Sequence, residues 1–488
     1  MLASPFVLLL PVALLFWGLG SFGLLNNVEG MYAELGREML AGGTWQGWII
    51  PHLNGLPYIE KPPLLYWSIA AALSVFGVHD WAVRLVPAIA GVLCLGAVYT
   101  YGRASVGPRY GFLAAFALGT SAGFVMMGKV AMTDALLAAF LTAALLGSRL
   151  ALQRKQPLLL RWVMVCLALA VLTKGLVALA LYGLVWTGWL VTAGRRDWRG
   201  SAAFLAAPVA WGVFLLVAAP WHIAAALTLH EFSWFYFINE HVLRFLGLRE
   251  PKDYYAGTPL YYLPRLALMA APWCLALLAY FSRGLRQKAM ATVDGAFLWA
   301  CVLAPLAFFS ASSAKANYYI LVCLPGLALL AAGVLETWLA SGSRRMWAVL
   351  AVGVVFVPAV GGMLHYAAAT EEKFSARQMV YQLQQRKDGL PLFLYQDFED
   401  YSALPFYLES DSIGIVDQRS ADLRFGLGLG AVDAARYPSM ESFAARREPA
   451  LLLILDARVR NGLPPLLAPR LEKLERVGNA TLYRFNPA

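Results

Sequence analysis

The amino-acid sequence predicts a polytopic α-helical membrane protein of about 11 to 13 spans that ends in a C-terminal extracytoplasmic α/β domain. Three observations lead to this fold class. The 488 residues are 60% hydrophobic and 14% charged, a balance that excludes an ordinary soluble protein. Apolar runs of about twenty residues recur through residues 1–364, and mixed strand and helix patterns replace them in residues 365–488. The basic residues gather in alternate loops.

About eleven of these apolar runs are expected to cross the hydrocarbon core as helices. A further apolar stretch, Leu64 to Val78, is interrupted by Gly77 and is expected to be interfacial or half-inserted, not a full span. The runs lie at about residues 4–25, 82–101, 111–127, 135–152, 159–173, 175–193, 201–219, 266–282, 293–310, 318–335 and 346–364.

The loops between these spans predict the orientation of the chain. The first span has no basic residues before it and no small-residue cleavage site after it, so it is expected to be a retained anchor with a cytoplasmic N-terminus. The predicted inner loops are then all basic, as the positive-inside rule requires. Their basic residues are Arg103, Arg109, Arg149, Arg154, Lys155, Arg161, Arg195, Arg196, Arg199, Arg283, Arg286, Lys288, Arg344 and Arg345. This distribution explains part of the net charge of +10 without a nucleic-acid partner.

The first outer loop, residues 26–63, is the stretch around which the other loops are expected to gather. It holds four carboxylates, Glu29, Glu34, Glu38 and Glu60. A helix is predicted from Asn26 or Asn27, both good N-caps, to the Gly42-Gly43 pair. Glu29 and Tyr32 would share one face of it. Because charges point to several sides, the helix is expected to lie on the bilayer surface.

Three further outer loops, residues 128–134, 220–264 and 311–319, bring more ionisable side chains to the same membrane face. Asp134 and Lys174 stand at the mouths of spans, where a charge is costly unless it is hydrated or paired and is therefore a candidate for function. For Lys174 the alternative is an interfacial lysine with no further role. Lys315 and Tyr319 lie one helical turn apart. The five cysteines all fall within apolar spans and are expected to be core residues.

The C-terminal region, residues 365–488, is predicted to be a small α/β domain. Strands are expected at 393–397, 413–416 and 451–456, and helices at about 376–386, 401–409 and 440–447. An odd number of spans would place this domain outside the cytoplasm. The region has no Gly-rich phosphate loop and no evident catalytic cluster, so it is expected to cover the site, to bind an acceptor or to be a structural cap.

Six segments, taken together and in order, resemble a known family. They are YAELGREML (32–40), GLPYIEKPPLLYW (55–67), MTDALL (132–137), LTKGL (172–176), INEHVLRF (238–245) and SAKANYYIL (313–321). They are similar to segments of the bacterial membrane glycosyltransferases that include the lipid A aminoarabinose transferase and, more distantly, of protein O-mannosyltransferases. The resemblance covers residues 26–335. It implies a GT-C type fold whose outer cavity takes a sugar from a polyprenyl phosphate and passes it to a lipid or protein acceptor.

The resemblance implies roles for residues that also fit this chemistry. Cations must hold the lipid phosphate and stabilise it as it leaves, and the candidate donor-binding residues are Lys61, Lys174, Arg244, Lys315 and the hydroxyl of Tyr319. A carboxylate must orient or deprotonate the acceptor, and the candidates are Glu29 and Asp134. Tyr32 and Glu34 are expected to support them.

The sequence departs from the family pattern at two places in the first loop. Relatives usually carry an Asp-Glu pair four and three residues before the Tyr-Ala-Glu, and here those places are Val28 and Glu29. The arginine often found just before that tyrosine is Met31. Glu29 is one methylene longer than the missing aspartate and is expected to take over its role, with an acceptor that differs from lipid A as an open alternative.

Glu60 and His241 match positions that can bind a divalent metal in the family. Two protein ligands are fewer than the three or four of a stable zinc site. The alternative is a hydrogen-bonded neighbourhood of Glu60, Lys61 and His241 without a metal. No other cofactor is expected.

The leading functional hypothesis is therefore inverting transfer of a sugar from an undecaprenyl-type phosphate to a lipid A-like lipid or another envelope acceptor at the periplasmic face of a bacterial inner membrane. A second hypothesis is transfer to Ser or Thr side chains of proteins, and two non-enzyme alternatives are a lipid or sugar transporter and a receptor-like scaffold. The expected partners are the lipid-linked donor, a lipid or protein acceptor and membrane lipids, with no nucleic acid. Under the leading hypothesis Glu29→Gln, Asp134→Asn and Lys61→Ala each abolish transfer.

Overall fold

A computed structural model of the chain describes residues 8–192, 198–252, 255–339, 344–386, 389–396, 398–410, 413–430, 433–460 and 462–487. The first residues of the first predicted span, the inner-loop residues Arg195 and Arg196, and residue 397 at the end of a predicted strand lie outside these ranges.

The membrane region is a bundle of helices with a few short irregular segments. Its helices are α1 Leu9–Phe16, α2 Val28–Gly42, α3 Trp45–Ile49, α4 Leu64–Phe76, α5 Asp80–Ser105, α6 Pro108–Gly119, α7 Ala122–Met127, α8 Thr133–Arg154, α9 Pro157–Lys174, α10 Leu176–Thr192, α11 Trp198–Leu205, α12 Pro208–Thr228, α13 Arg244–Leu246, α14 Tyr262–Met269, α15 Cys274–Leu277, α16 Arg283–Thr292, α17 Gly295–Ala311, α18 Leu324–Leu339 and α19 Arg344–Ala369. Residues Trp234–Leu243 form a π-helical segment that runs directly into α13. Two short antiparallel pairs complete the region: β1 His52–Leu53 with β2 Leu56–Pro57, and β3 Tyr255–Ala256 with β4 Ala314–Lys315.

Six helices in the described ranges are long and apolar enough to cross a membrane, and eight if each of two bent helix pairs counts as one span. The polytopic helical fold is confirmed, but several of the eleven predicted runs are shorter or broken helices. The run at 111–127 breaks between α6 and α7. There the hydroxyls of Thr120 and Ser121 donate to carbonyls four residues earlier, a pattern that bends or interrupts helices.

The predicted helix of the first loop is confirmed as α2. It ends at Gly42, and Gly43 takes φ 59°, the left-handed conformation that glycine adopts readily at a helix end. Asn27 precedes the helix, but its side chain makes no capping hydrogen bond. Residues from Glu29 to Met39 are buried, because α4 and the C-terminal region pack on α2. The helix is thus enclosed by protein, and its place on the bilayer surface stays a prediction.

The C-terminal region is a five-stranded sheet with short helices, as the strand and helix pattern predicted. Its elements are α20 Arg377–Gln385, β5 Leu392–Tyr395, α21 Leu404–Leu408, β6 Gly414–Val416, α22 Ala421–Gly428, α23 Met440–Ala444, β7 Ala450–Leu455, α24 Asp456–Val459, β8 Leu471–Val477 and β9 Ala480–Phe485. The strand order is β6-β5-β7-β9-β8, with β5 parallel to β6 and β7, and β9 antiparallel to both of its neighbours. The hairpin of β8 and β9 was not predicted. Helix α19 extends to Ala369, past the boundary proposed at residue 364.

The C-terminal region packs directly on the first loop. Asn54, in the turn between β1 and β2, donates to the carbonyl of Ile413 and to the hydroxyl of Tyr437. Gly30 in α2 faces the backbone of Ala403, which lies 2.6 Å from where a Cβ would stand. These contacts bring the region over the same ends of the spans as the first loop.

Candidate functional site

A polar cavity of about 230 Å³ lies between the first loop, the adjacent ends of the spans and the C-terminal region. It gathers side chains that are far apart in the sequence. Those predicted from the sequence are Tyr32, Glu60, Lys61, Asp134, Lys174, Arg244 and Tyr319. The C-terminal region adds Glu399, Ala421 and Asp422.

A second cavity of about 390 Å³ adjoins the first and is mostly apolar. Leu176, Val177, Phe245, Phe308 and Phe309 are among its lining residues. Five residues line both cavities: Glu60, Lys61, Lys174, Arg244 and Tyr319. Three of the five are cations, so a belt of positive groups, Lys61, Lys174 and Arg244, separates a polar space from an apolar one.

Asp134 and Lys174 form an ion pair at the edge of the polar cavity. The Lys174 Nζ lies 2.5 Å from the Asp134 Oδ1, and both side chains are largely buried. Asp134 stands in the first turn of α8 and Lys174 in the last turn of α9, where the helix dipoles favour a negative and a positive charge respectively. Gly175 ends α9 with φ 77°, and a Cβ at this position would come within 2.2 Å of the His241 ring. The ammonium of Lys174 also lies 4.4 Å from the ring centroid of Tyr319.

Glu240 connects the other two cations of the belt. Its carboxylate accepts from Lys61 at 3.0 Å and from Arg244 at 3.1 Å, and it also bonds to Arg249. Burial alone would raise the pKa of Glu240, but Lys61, Arg244 and Arg249 together lower it below its ordinary value. Glu240 is therefore charged at neutral pH and fixes the positions of both cations.

Tyr32, which the sequence analysis named as a supporting residue, lines the polar cavity from α2. Burial raises its pKa well above the ordinary value, and the neighbouring tyrosines and carboxylates add to this effect. Its hydroxyl therefore remains protonated and can donate a hydrogen bond to a bound ligand.

Glu60 and His241 do not form a ready metal site. The Nδ1 of His241 lies 2.6 Å from the carbonyl of Tyr236 and so carries the proton, while the Nε2 accepts from the amide of Leu176 at 3.0 Å. Glu60 accepts from the buried Arg249 at 2.6 Å. Within the residues that the structure describes, no group of three or more His, Cys, Asp or Glu side chains could hold a metal ion. The residues present thus do not fit a metal held between Glu60 and His241.

Glu29 lies outside the lining of the polar cavity. It is buried against Arg84, whose guanidinium donates to both carboxylate oxygens at 2.9 and 2.8 Å. The amides of Leu25 and Ala131 donate to the same two oxygens. Four donors therefore bond to the carboxylate, a geometry that favours a structural role for Glu29 over catalysis.

Glu34 and Lys315 are also held outside both cavities. Glu34 makes two hydrogen bonds of 2.7 Å to Arg37, one turn further along α2. Lys315 donates to the carbonyls of Phe309, Ser310 and Ser312 at the end of α17. It thereby satisfies carbonyls that the helix leaves open.

The sequence did not identify several residues that the structure brings into the site. Glu240 could have been suspected, because Glu240 and Arg244 are spaced as an i, i+4 ion pair within the INEHVLRF segment. Arg249 lies outside that segment and bonds to Glu240 in the structure. Glu399 and Asp422 carry no such signal, since only the packing of the C-terminal region on the first loop brings them to the cavity.

The chain is similar in sequence to several known membrane transferases. A sequence model of the family described as dolichyl-phosphate-mannose-protein mannosyltransferase matches residues 60–223. An undecaprenyl phosphate-alpha-4-amino-4-deoxy-L-arabinose arabinosyl transferase of Pseudomonas aeruginosa is 33% identical over 323 residues, which are 64% of this chain and 56% of that protein. A Pseudomonas fluorescens protein with the same description is 30% identical over 77% of this chain and 65% of its own length. The matched region thus spans a little over half of the Pseudomonas aeruginosa relative.

Two solved structures share the fold over most of this chain. The crystal structure of ArnT from Cupriavidus metallidurans bound to undecaprenyl phosphate has a TM-score of 0.81 at 23% identity, and it covers 98% of this chain and 97% of that one. The oligosaccharyltransferase AglB from Archaeoglobus fulgidus, in complex with an inhibitory peptide and a dolichol-phosphate, has a TM-score of 0.55 at 13% identity, over 92% and 69% of the two chains. The resemblance drawn from the six sequence segments is thereby confirmed: this multi-pass membrane protein contains a domain similar to the dolichyl-phosphate-mannose-protein mannosyltransferase family and has the GT-C fold of membrane glycosyltransferases.

Proposed function

We propose that the chain transfers a sugar, with inversion, from an undecaprenyl-type phosphate to a lipid or other envelope acceptor. The observation that supports this most strongly is the position of the belt of Lys61, Lys174 and Arg244, because these cations lie between the apolar cavity and the polar one and line both. A lipid-linked sugar phosphate has three parts of matching character: an apolar chain, an anionic phosphate and a polar sugar. The relatives' names, which include an undecaprenyl phosphate-dependent transferase, support the same donor class.

In this proposal the polyprenyl chain occupies the apolar cavity and the phosphate lies against the belt. Arginine and lysine donate charge-assisted hydrogen bonds to phosphate oxygens, and the Tyr319 hydroxyl adds a neutral donor. The phosphate is the leaving group, so the same cations stabilise the charge that develops on it as the glycosidic bond breaks. Glu240 and Asp134 hold the cations in place before the donor arrives. No step of the proposed reaction involves a metal, because the Nε2 of His241 is already engaged.

The acceptor class is part of the proposal. A lipid A-like acceptor is supported by the arabinosyl transferase relatives, and we place the reaction at the periplasmic face of a bacterial inner membrane, with a cytoplasmic N-terminus and a periplasmic C-terminal region. Transfer to Ser or Thr side chains is the second candidate, because the match over residues 60–223 is to a family described as protein mannosyltransferases.

Donor binding and transfer by the purified chain in lipid nanodiscs test the proposal. The donors are undecaprenyl phosphate linked to radiolabelled aminoarabinose or mannose, and the acceptors are envelope membranes from cells that lack the chain. Label is counted in the lipid and protein fractions. Incorporation into lipid supports the first acceptor class, incorporation into protein supports the second, and donor binding without transfer would favour a transporter.

Lys61→Ala is expected to weaken binding of undecaprenyl phosphate about tenfold or more, since a hydrogen bond to a charged group contributes roughly 1.5–3 kcal/mol. Lys252→Ala is the matched control, because Lys252 is an exposed lysine of the loop at 220–264 and lines neither cavity. Equal affinity of both variants for undecaprenyl phosphate would contradict the proposed phosphate site.

A further inference from the structure

Helix α16 lies at the end of α17 that points away from both cavities. It precedes α17 in the chain, and Phe308 and Phe309, near the other end of α17, line the apolar cavity. The 17 residues of α17 put about 25 Å between its two ends, at a rise of about 1.5 Å per residue. The side chains of α16 therefore have no part in the site between the first loop and the C-terminal region.

Helix α16 turns away from the direction of the spans. Residues Arg283–Met290 and Gly295–Ala311 are bent by 105° relative to each other. Helix α17 packs against α18, which belongs to one of the span-length helices. A Cβ on Gly333 of α18 would lie 3.8 Å from the carbonyl oxygen of Ala289, so α16 rests on the bundle. It therefore runs close to the plane of the membrane.

The side chains of α16 form an apolar stripe with cations on both sides of it. Leu285 and Ala289 are one helical turn apart; Ala289 is fully buried, whereas Leu285 is 43% exposed. At 3.6 residues per turn, Arg286 and Lys288 fall on opposite sides of this stripe, and Arg283 lies next to Arg286. All three cations are exposed. This arrangement is typical of helices that lie in the interface of a bilayer.

The cations of α16 have no counter-charge among the residues that the structure describes. The sequence of the helix, RGLRQKAMAT, contains no acid. The charged groups of its three cations form no ion pair or hydrogen bond with a described residue. The next acid along the chain, Asp294, pairs instead with Arg149 at 2.5 Å. Three positive charges thus stand exposed beside an apolar stripe, which complements an anionic headgroup joined to acyl chains.

We propose that α16 binds anionic phospholipids of the leaflet opposite the cavities. The acyl chains contact Leu285 and Phe281, a residue just before the helix whose side chain is 88% exposed. The headgroup phosphates accept charge-assisted hydrogen bonds from the three cations of α16. A zwitterionic headgroup carries its own cation beside the phosphate, so an anionic headgroup is favoured. The inference does not depend on the proposed glycosyl transfer.

Hydrogen exchange of the α16 amides tests the inference, because it reports on this helix alone. The full chain is placed in nanodiscs of phosphatidylcholine with or without phosphatidylglycerol, and exchange is followed by mass spectrometry. Each cation near an anionic surface contributes about 1 kcal/mol, so phosphatidylglycerol is expected to slow this exchange about tenfold or more. High salt should remove the difference. A triple variant should lose it as well: Arg283→Gln, Arg286→Gln and Lys288→Gln.

A matched control removes the same number of positive charges elsewhere. Arg447, Arg460 and Lys473 are exposed cations of the C-terminal region, and their charged groups form no ion pair with a described residue. The control variant carries Gln at all three positions, so its net charge equals that of the α16 variant. Phosphatidylglycerol should slow exchange of α16 in this control as much as in the unsubstituted chain.

Three results would overturn the inference. One is equal exchange of α16 in the unsubstituted chain with and without phosphatidylglycerol. Another is slowing that persists in the α16 variant, because the lipid would then act elsewhere. The third is equal slowing by inorganic phosphate in phosphatidylcholine nanodiscs, since the ligand would then be a soluble anion. Should the triple variant fail to fold, Lys288→Gln alone is expected to lose part of the slowing, and an unchanged effect would contradict the inference.

Discussion

At the scale of residues, the site depends on which charges are already satisfied within the protein. Glu29 and Asp134 looked equivalent in the sequence, since both are carboxylates at the outer face. The structure shows that their surroundings differ. The Glu29 carboxylate accepts hydrogen bonds from Arg84 and two backbone amides, whereas Asp134 lines the polar cavity beside Lys174. No sequence pattern indicates this difference, because Arg84 is 55 residues from Glu29 in the chain.

Substitution of Glu29 tests its structural role. Glu29→Gln is expected to lower the stability of the chain by about 3–5 kcal/mol, because it leaves the buried guanidinium of Arg84 without its counter-charge. The loss should appear as a lower thermal unfolding temperature in nanodiscs. Glu231→Gln, at an exposed position of an outer loop, is the control and should leave that temperature unchanged.

The double variant Glu29→Leu with Arg84→Met completes this test. Removal of both charges is expected to recover stability relative to Glu29→Gln and to preserve transfer, since replacing a buried ion pair by apolar residues is often neutral. A stable double variant with no transfer would show instead that Glu29 acts in the reaction.

At the scale of elements, short connections decide where the functional side chains stand. Pro62 and Pro63 precede α4 and follow Lys61 directly, and Gly175 ends α9 directly after Lys174. The Gly42-Gly43 pair made the end of α2 predictable from the sequence, whereas the cations were singled out because they lie in segments that resemble a family. The hairpin of β8 and β9 was missed because the residues of β8 are largely charged and exposed, so the strand lacks a run of apolar residues.

Helix α22 brings Ala421 and Asp422 to the wall of the polar cavity. Gly426→Val is expected to reduce transfer at least tenfold, because its side chain would collide with Leu56 and push Asp422 from the cavity wall; overpacking of this kind costs about 1–3 kcal/mol. Gly428→Val on the same helix is a matched control, since a Cβ there meets nothing within 4 Å. Transfer should be measured together with the binding of undecaprenyl phosphate, which neither variant is expected to change. Equal transfer by the two variants would contradict the need for a fixed α22.

At the scale of the whole molecule, the site lies where three parts of the chain meet: the first loop, the adjacent ends of the spans and the C-terminal region. The sequence indicated the first two parts, because six segments in order resemble a family and because the basic residues divide the loops into two sets. The contribution of the third part could not be predicted. Glu399 and Asp422 lie about 370 or more residues from Asn27 and Val28 along the chain, and only tertiary packing places them together.

The most direct test of the central claim is an experimental structure of the chain with undecaprenyl phosphate in a lipid nanodisc. The phosphate oxygens are expected within about 3 Å of Lys61 and Arg244, with the polyprenyl chain in the cavity lined by Phe245, Phe308 and Phe309. A phosphate bound elsewhere, with the cation belt in contact only with its present carboxylate partners, would contradict the account.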